Sequence, residues 1–213
     1  MARRRVAVLI SGGGSNLQAL LDAAAAPDHP AAITLVVSNV EGAFGLQRAA
    51  RAGVPATCLD HRGFADRTAF DAALDAILRE AGIELVCLAG FMRILTAGFV
   101  ARWHDRLLNI HPSLLPAFPG LHTHARALAA GVRIHGCTVH LVRAALDDGP
   151  ILVQGIVPVM EGDEEATLAA RVLEVEHRCY PLALAGLASG RLTVAGERVR
   201  GGEGRLILHP SLG

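Results

Sequence analysis

Three polar side chains in this 213-residue sequence have the types and spacing for acyl chemistry: Asn109, His111 and Asp147. Asn109 and His111 stand two apart where the apolar run LLNIH stops at Pro112. On extended backbone, positions i and i+2 point the same way, so both side chains should project from one face at a strand's end. Pro112 disfavours helix at His111 and holds it extended. Polar side chains are costly to bury without partners, so such a pair is either structural glue or catalytic equipment. A carboxylate beside an imidazole favours the charged ring, which suits a general acid near neutral pH. An Asn amide can donate hydrogen bonds to a developing oxyanion. Together the three would serve acyl transfer through a tetrahedral intermediate, with no covalent enzyme adduct. A structural histidine and a turn-forming Asp147 fit the spacing as well.

A second feature precedes them. Residues 5–10 (RVAVLI) are apolar and β-branched, and they read as a buried strand. The strand runs into Ser11-Gly12-Gly13-Gly14-Ser15-Asn16, and the following LQALLDAAAA has helical periodicity. Strand, glycine loop and helix open a nucleotide-binding unit: glycines admit a ligand close to the backbone, and the helix N-terminus offers free N–H groups. The spacing matches neither a P-loop nor a full dinucleotide fingerprint, because Leu17 fills the last position. A single phosphate fits the loop. So does a merely tight turn with Ser15 as the helix N-cap.

The elements that must position these groups alternate. Strands are expected at residues 33–38, 55–59, 85–89 and 107–110, and helices at 45–52, 65–81 and 99–103. This predicts an α/β, Rossmann-like, mostly parallel twisted sheet with helices on both faces. Loops 11–16, 90–95 and 111–124 all follow strands, where ligands of such sheets bind. Further on, a helix is expected at 124–130 and strands at 137–143 and 151–159. The turn at Asp147-Asp148-Gly149-Pro150 should pair those two strands antiparallel. A long helix over 164–187, interrupted or bent at Pro181, and a small hairpin over 191–210 complete the chain. No linker is evident, so a single domain over 1–213 is expected, with lobes of about 1–105 and 106–213.

Composition narrows the class. Hydrophobic residues make up 52% and charged ones 19%, which excludes wholesale disorder. Formal net charge is zero, every basic side chain is Arg, and only Arg3-Arg4-Arg5 cluster, so no nucleic-acid footprint emerges. Cys58, Cys87, Cys137 and Cys179 are far apart, so neither disulfides nor zinc are expected. His122, His124, His135 and His140 lack a carboxylate at ligand spacing, and no metal is expected; His140 is the one expected to touch the catalytic region. With no signal-like leader and no apolar run of membrane length, the expectation is a cytoplasmic protein without a membrane partner.

The blocks SGGGSNLQALLDA, LAGFMRIL, LLNIHPSLLPAFPGLHTH, HGCTVHLV, LDDGPIL and EHRCYPLAL together resemble the phosphoribosylglycinamide formyltransferase family. The likeness runs nearly end to end and fades after about residue 190. It implies that Asn109, His111 and Asp147 are the catalytic trio. It implies that Gly14, Ser15 and Asn16 hold the substrate phosphate, and that Glu176 meets the glycinamide and ribose portion. Met92, Arg93, Ile94 and Leu95, with Arg143, Ala144, Ala145 and Leu146, would line the folate pterin pocket largely through backbone groups, and Arg67 would lie near the folate tail. Leu173 is apolar where a relative has Gln. The co-substrate implied is 10-formyltetrahydrofolate, the acceptor 5'-phosphoribosylglycinamide, and a homodimer is compatible with both.

Three rivals use parts of the same equipment. A formyltetrahydrofolate hydrolase shares the trio but carries an extra N-terminal domain, for which a first strand at residue 5 leaves no room. A methionyl-tRNA formyltransferase needs a C-terminal tRNA-holding domain and a basic surface. A non-catalytic nucleotide-binding module would use the glycine loop and leave the trio unexplained.

Overall fold

β1 (Arg4–Ile10) is buried throughout from Val6 onward, as its unbroken apolar run requires of a central parallel strand. The computed structural model describes residues 2–201 and 206–212, in two compact units, the first ending at Asn109 and the second beginning at Ile110.

In the N-terminal unit, β1 pairs in parallel with β2 (Ala31–Ser38) on one side and β4 (Leu85–Leu88) on the other. β3 (Ala56–Cys58) extends the sheet beyond β2, and β5 (Leu107–His111) pairs in parallel with β4 through its residues 107–109. The order β3-β2-β1-β4-β5 reverses direction between β1 and β4, and open parallel sheets bind ligands at such a switch point. Four helices connect these strands: α1 (Ser15–Ala24), α2 (Phe44–Arg51), α3 (Arg67–Glu80) and α4 (Ala97–Arg102). Leu17 and Leu20 of α1, and Phe70, Leu74 and Leu78 of α3, are fully buried at helical spacing. The core also encloses a polar knot: buried Asp75 accepts from Trp103 Nε1 (3.0 Å) and pairs with Arg102 (3.1 Å).

In the C-terminal unit, α5 (Thr123–Ala129) leads into β6 (Ile134–Leu141), which pairs antiparallel with β7 (Ile151–Pro158). The mostly parallel sheet with an antiparallel addition is thus as expected, although the connection is the longer stretch 142–150. β6 begins three residues before the expected start. Gly136 hides that start in the sequence, yet the strand needs glycine there, since an added Cβ would fall 1.8 Å from the Gly155 carbonyl oxygen. α6 (Glu165–Ala188) packs on β6 and β7 and buries Leu168, Val172, Val175, Cys179, Ala183 and Leu184, with Val175 and Cys179 against Gly155 of β7. It runs unbroken through Pro181, so of the expected interruption or bend the interruption does not occur: packing along a long apolar face outweighs one lost backbone bond.

The terminal hairpin also needs correction. β8 (Thr193–Ala195) and β9 (Arg198–Arg200) form it alone, while β10 (Leu206–Leu208) adds in parallel to β7. Residues 202–205 of that expected hairpin lie outside the described residues.

Candidate active site

His111 ends β5, and its side chain is only 8% exposed. Its Nδ1 lies 3.4 Å from Asp147 Oδ1, and the Asp147 side chain is equally buried. Asp147 has φ 51°, a left-handed conformation that Asp adopts more readily than most residues. Its other carboxylate oxygen accepts the Gly120 N–H at 2.7 Å. His111 Nε2 lies 3.0 Å from the Phe118 carbonyl oxygen. Each ring nitrogen therefore faces an oxygen acceptor, and the ring donates to both only when both nitrogens carry hydrogen. Asn109, two residues earlier on β5, is half-buried.

The loop after β5 is held by a hub that sequence reasoning missed. Thr138 Oγ1 on β6 donates to the Ser113 carbonyl (2.7 Å). It accepts from Leu115 N–H (3.0 Å) and from Gln154 Nε2 (3.1 Å). Gln154 also donates to the Leu115 carbonyl at 3.0 Å, and Ser113 Oγ to the Ala117 carbonyl at 2.6 Å. The Leu115–Pro116 peptide bond is cis. Gln154 left one signal in the sequence, as a polar side chain inside the apolar strand ILVQGIVP.

Three other histidines of this unit, His124, His135 and His140, are shifted toward the neutral form. Burial is the main cause, and it holds His135 down to about 4, helped by His124, while the Pro112 carbonyl pulls the other way. The His124 and His135 rings meet edge to face at 5.3 Å. His124 is lowered as well, by burial first, with Glu165 opposing. His140 is lowered by burial against the pull of the Leu141 carbonyl and the Asp147 charge, so it lies within electrostatic reach of Asp147. Among the described residues, no three His, Cys, Asp or Glu side chains gather as a metal ion would need.

Of the other residues expected here, Glu176 is buried on α6, within electrostatic reach of Cys137. Leu173 is half-buried on the same helix. Arg143 is half-buried, and its guanidinium pairs with Glu197 at 3.0 Å. Ala144, Ala145 and Leu146 are exposed.

The N-terminal unit carries the remaining expected residues. Gly14, with φ 70°, occupies the N-cap position of α1 and makes no side-chain cap, which corrects the reading of Ser15 as N-cap. Ser15 and Asn16 are instead the first helical residues, in the turn whose N–H groups point out of the helix N-terminus. Glycine at 14 is required twice over: by its φ, and because an added Cβ would lie 2.9 Å from Gly45 Cα on α2. Gly45 N–H donates to the Gly12 carbonyl (3.0 Å) and Arg48 Nε to the Gly13 carbonyl (2.8 Å), fixing the loop to α2. In the segment after β4, Met92 and Ile94 are 73% and 60% exposed, and the Arg93 guanidinium lies 5.1 Å from the Phe70 ring centroid. Leu95 is half-buried, and Arg67 is exposed at the first turn of α3.

Residues 4–184 match the formyl transferase family, a span that includes Asn109, His111, Asp147 and Glu176. The chain belongs to that family. Within it, the chain is 48% identical over 187 residues to the phosphoribosylglycinamide formyltransferase of Escherichia coli, covering 88% of each. Its fold matches the crystal structure of glycinamide ribonucleotide transformylase 1 from Symbiobacterium toebii with a TM-score of 0.91 at 49% identity, covering 94% of this chain and 95% of that one. It is also 52% identical over 190 residues to the trifunctional purine biosynthetic protein adenosine-3 of Gallus gallus, of whose length it spans 19%. Among the described residues, no helix is long and apolar enough to cross a membrane.

Proposed function

We propose that this chain transfers the formyl group of 10-formyltetrahydrofolate to the amine of 5'-phosphoribosylglycinamide, as a step of purine biosynthesis. The observation that carries the reading is the buried His111, held through Nδ1 by Asp147 and facing an oxygen acceptor through Nε2, two residues after Asn109. In this reading the three act by hydrogen bonding and proton transfer, and substrate attacks substrate directly with no covalent enzyme adduct.

The amine nitrogen bonds to the formyl carbon, and the carbonyl electron pair moves to oxygen. His111 Nε2 and the Asn109 amide donate to that oxyanion. The Phe118 carbonyl oxygen marks the position an oxyanion takes at Nε2, so productive binding requires the loop to yield it. The bond from the formyl carbon to the folate nitrogen then breaks. The proton lost by the amine passes, through a water held by Asp147, to that departing nitrogen. Gly14, Ser15 and Asn16 hold the phosphate by backbone N–H groups at the α1 N-terminus, and Glu176 meets the ribose and glycinamide part. Residues 92–95 and 143–146 line the pterin site, with Arg67 toward the folate tail and His140 behind Asp147. The reading describes a cytoplasmic, single-domain enzyme that needs no metal; a homodimer is the assembly to look for by sedimentation.

The test follows loss of the formyl group from 10-formyltetrahydrofolate with and without the ribonucleotide. Loss only in its presence, with formyl appearing on the ribonucleotide, is expected. Loss in its absence means a hydrolase, and no loss in either tube means a binding module.

A further inference from the structure

The sheet's switch point holds a polar connection that the proposed chemistry does not use. Ser11 follows β1 directly, and its hydroxyl is spoken for on both sides: it donates to Asn39 Oδ1 (2.5 Å) and accepts the Met92 N–H (2.8 Å). Its own N–H donates to the Gly90 carbonyl at 3.2 Å. Asn39, 2% exposed, follows β2 and is oriented in turn: its N–H donates to the Ile10 carbonyl (3.3 Å), and its side-chain amide lies 3.2 Å from His61 Nδ1. One hydroxyl thus joins the ends of β1, β2 and β4. The segment it reaches is fixed again at its far end, where buried Asp71 on α3 accepts the Thr96 N–H at 2.7 Å. Phe91, buried and stacked on Phe70 at 6.5 Å between centroids, anchors the start. Residues 93–95 lie between the two anchored N–H groups of Met92 and Thr96, and the Met92 and Ile94 side chains are exposed.

A segment that recognises its ligand through backbone groups has no side chain to adjust, so its affinity depends on the backbone being held in the bound geometry beforehand. We propose that Ser11, oriented by Asn39, is a positioning residue that holds the backbone of residues 92–95 for the pterin ring of the folate substrate, with Asp71 as the second anchor. The proposal rests on the functional reading above. It assigns Ser11 to the folate side of the reaction although it stands at the head of the glycine loop. Because the hydroxyl already donates once and accepts once within the protein, it acts through Met92 rather than on the substrate phosphate.

The test compares wild type with Ser11→Ala and Ser11→Thr. Three readouts are taken: amide hydrogen exchange at Met92, calorimetric binding of tetrahydrofolate, and separate KM values for donor and ribonucleotide. Ser11→Ala should speed exchange at Met92. It should weaken tetrahydrofolate binding and raise the donor KM about five- to tenfold, the cost of one such hydrogen bond. The ribonucleotide KM and kcat should stay within about twofold, and Ser11→Thr, which keeps the hydroxyl, should restore the donor side. Unchanged donor affinity in Ser11→Ala overturns the proposal while leaving the functional reading intact. So does a parallel rise in both KM values that Thr fails to rescue, since that describes a merely structural serine. A wild-type protein that binds no tetrahydrofolate overturns the functional reading itself, and the proposal with it.

Discussion

At the scale of single residues, hydrogen-bond inventory and steric room decide what each side chain can do. His111 and Asp147 are both nearly excluded from water at 3.4 Å, and each is also engaged by the loop backbone at 118–120. Asn109→Ala should lower kcat by about 10²- to 10³-fold, the usual loss of one oxyanion donor, with little change in either KM. The glycine loop offers a sharper contrast. Gly13 has nothing within 4 Å of an added Cβ, whereas Gly14 has both a positive φ and the Gly45 backbone against it. Gly13→Ala should leave the ribonucleotide KM within about twofold. Gly14→Ala should raise it at least tenfold and lower stability by about 1–3 kcal/mol, readable by calorimetric titration and denaturant unfolding. Of these residues, type and spacing drew attention to Asn109 and His111 without separating a catalytic pair from a structural one, and Gly14 was named through the family resemblance. Ser11's link to Met92 was not, since 81 positions separate them and only the β1–β4 pairing brings them together.

At the scale of elements, alternation and glycine punctuation located every strand and α-helix of the N-terminal unit to within a few residues, and missed the short 3-10 turn His61–Gly63. The misreadings came where tertiary packing overrode local rules. α6 passes through Pro181, and β6 passes through Gly136 because the neighbouring strand leaves no room for a side chain. β10 joins β7 rather than closing the hairpin, a choice that local sequence does not encode. Thr138 belongs at this scale, since one buried hydroxyl ties β6 and β7 to the loop after β5. Thr138→Val keeps the shape but leaves the Leu115 N–H and the Ser113 carbonyl without that partner. It should cost about 2–4 kcal/mol in denaturant unfolding, and kcat should fall with it because the loop carries the Gly120 contact that holds Asp147. A Thr138→Val variant of wild-type stability would remove the hub from the account.

For the whole molecule, the clearest collective property is response to acid. His135 is held down to about 4, below its ordinary value near 6.5, chiefly by burial, and His124 and His140 are shifted the same way. The unfolded chain takes up protons on these rings as pH falls below about 6.5, while the folded chain refuses them. The stability they leave intact at neutral pH is therefore lost progressively between about 6.5 and 4. Wild type should show a steep fall of the denaturation midpoint over that window, and His135→Phe a shallower one; parallel curves would show that His135 is protonated without cost. Membership of the formyl transferase family accounts for residues 4–184 as a unit of sequence, and the proposed function assigns the chemistry to the trio. Single-turnover formyl transfer by Asp147→Asn and His111→Ala, with both substrates saturating, tests that most directly. The account predicts rates about 10²- to 10⁴-fold below wild type in both variants, with the fold intact by circular dichroism. A near wild-type rate in either one would contradict it.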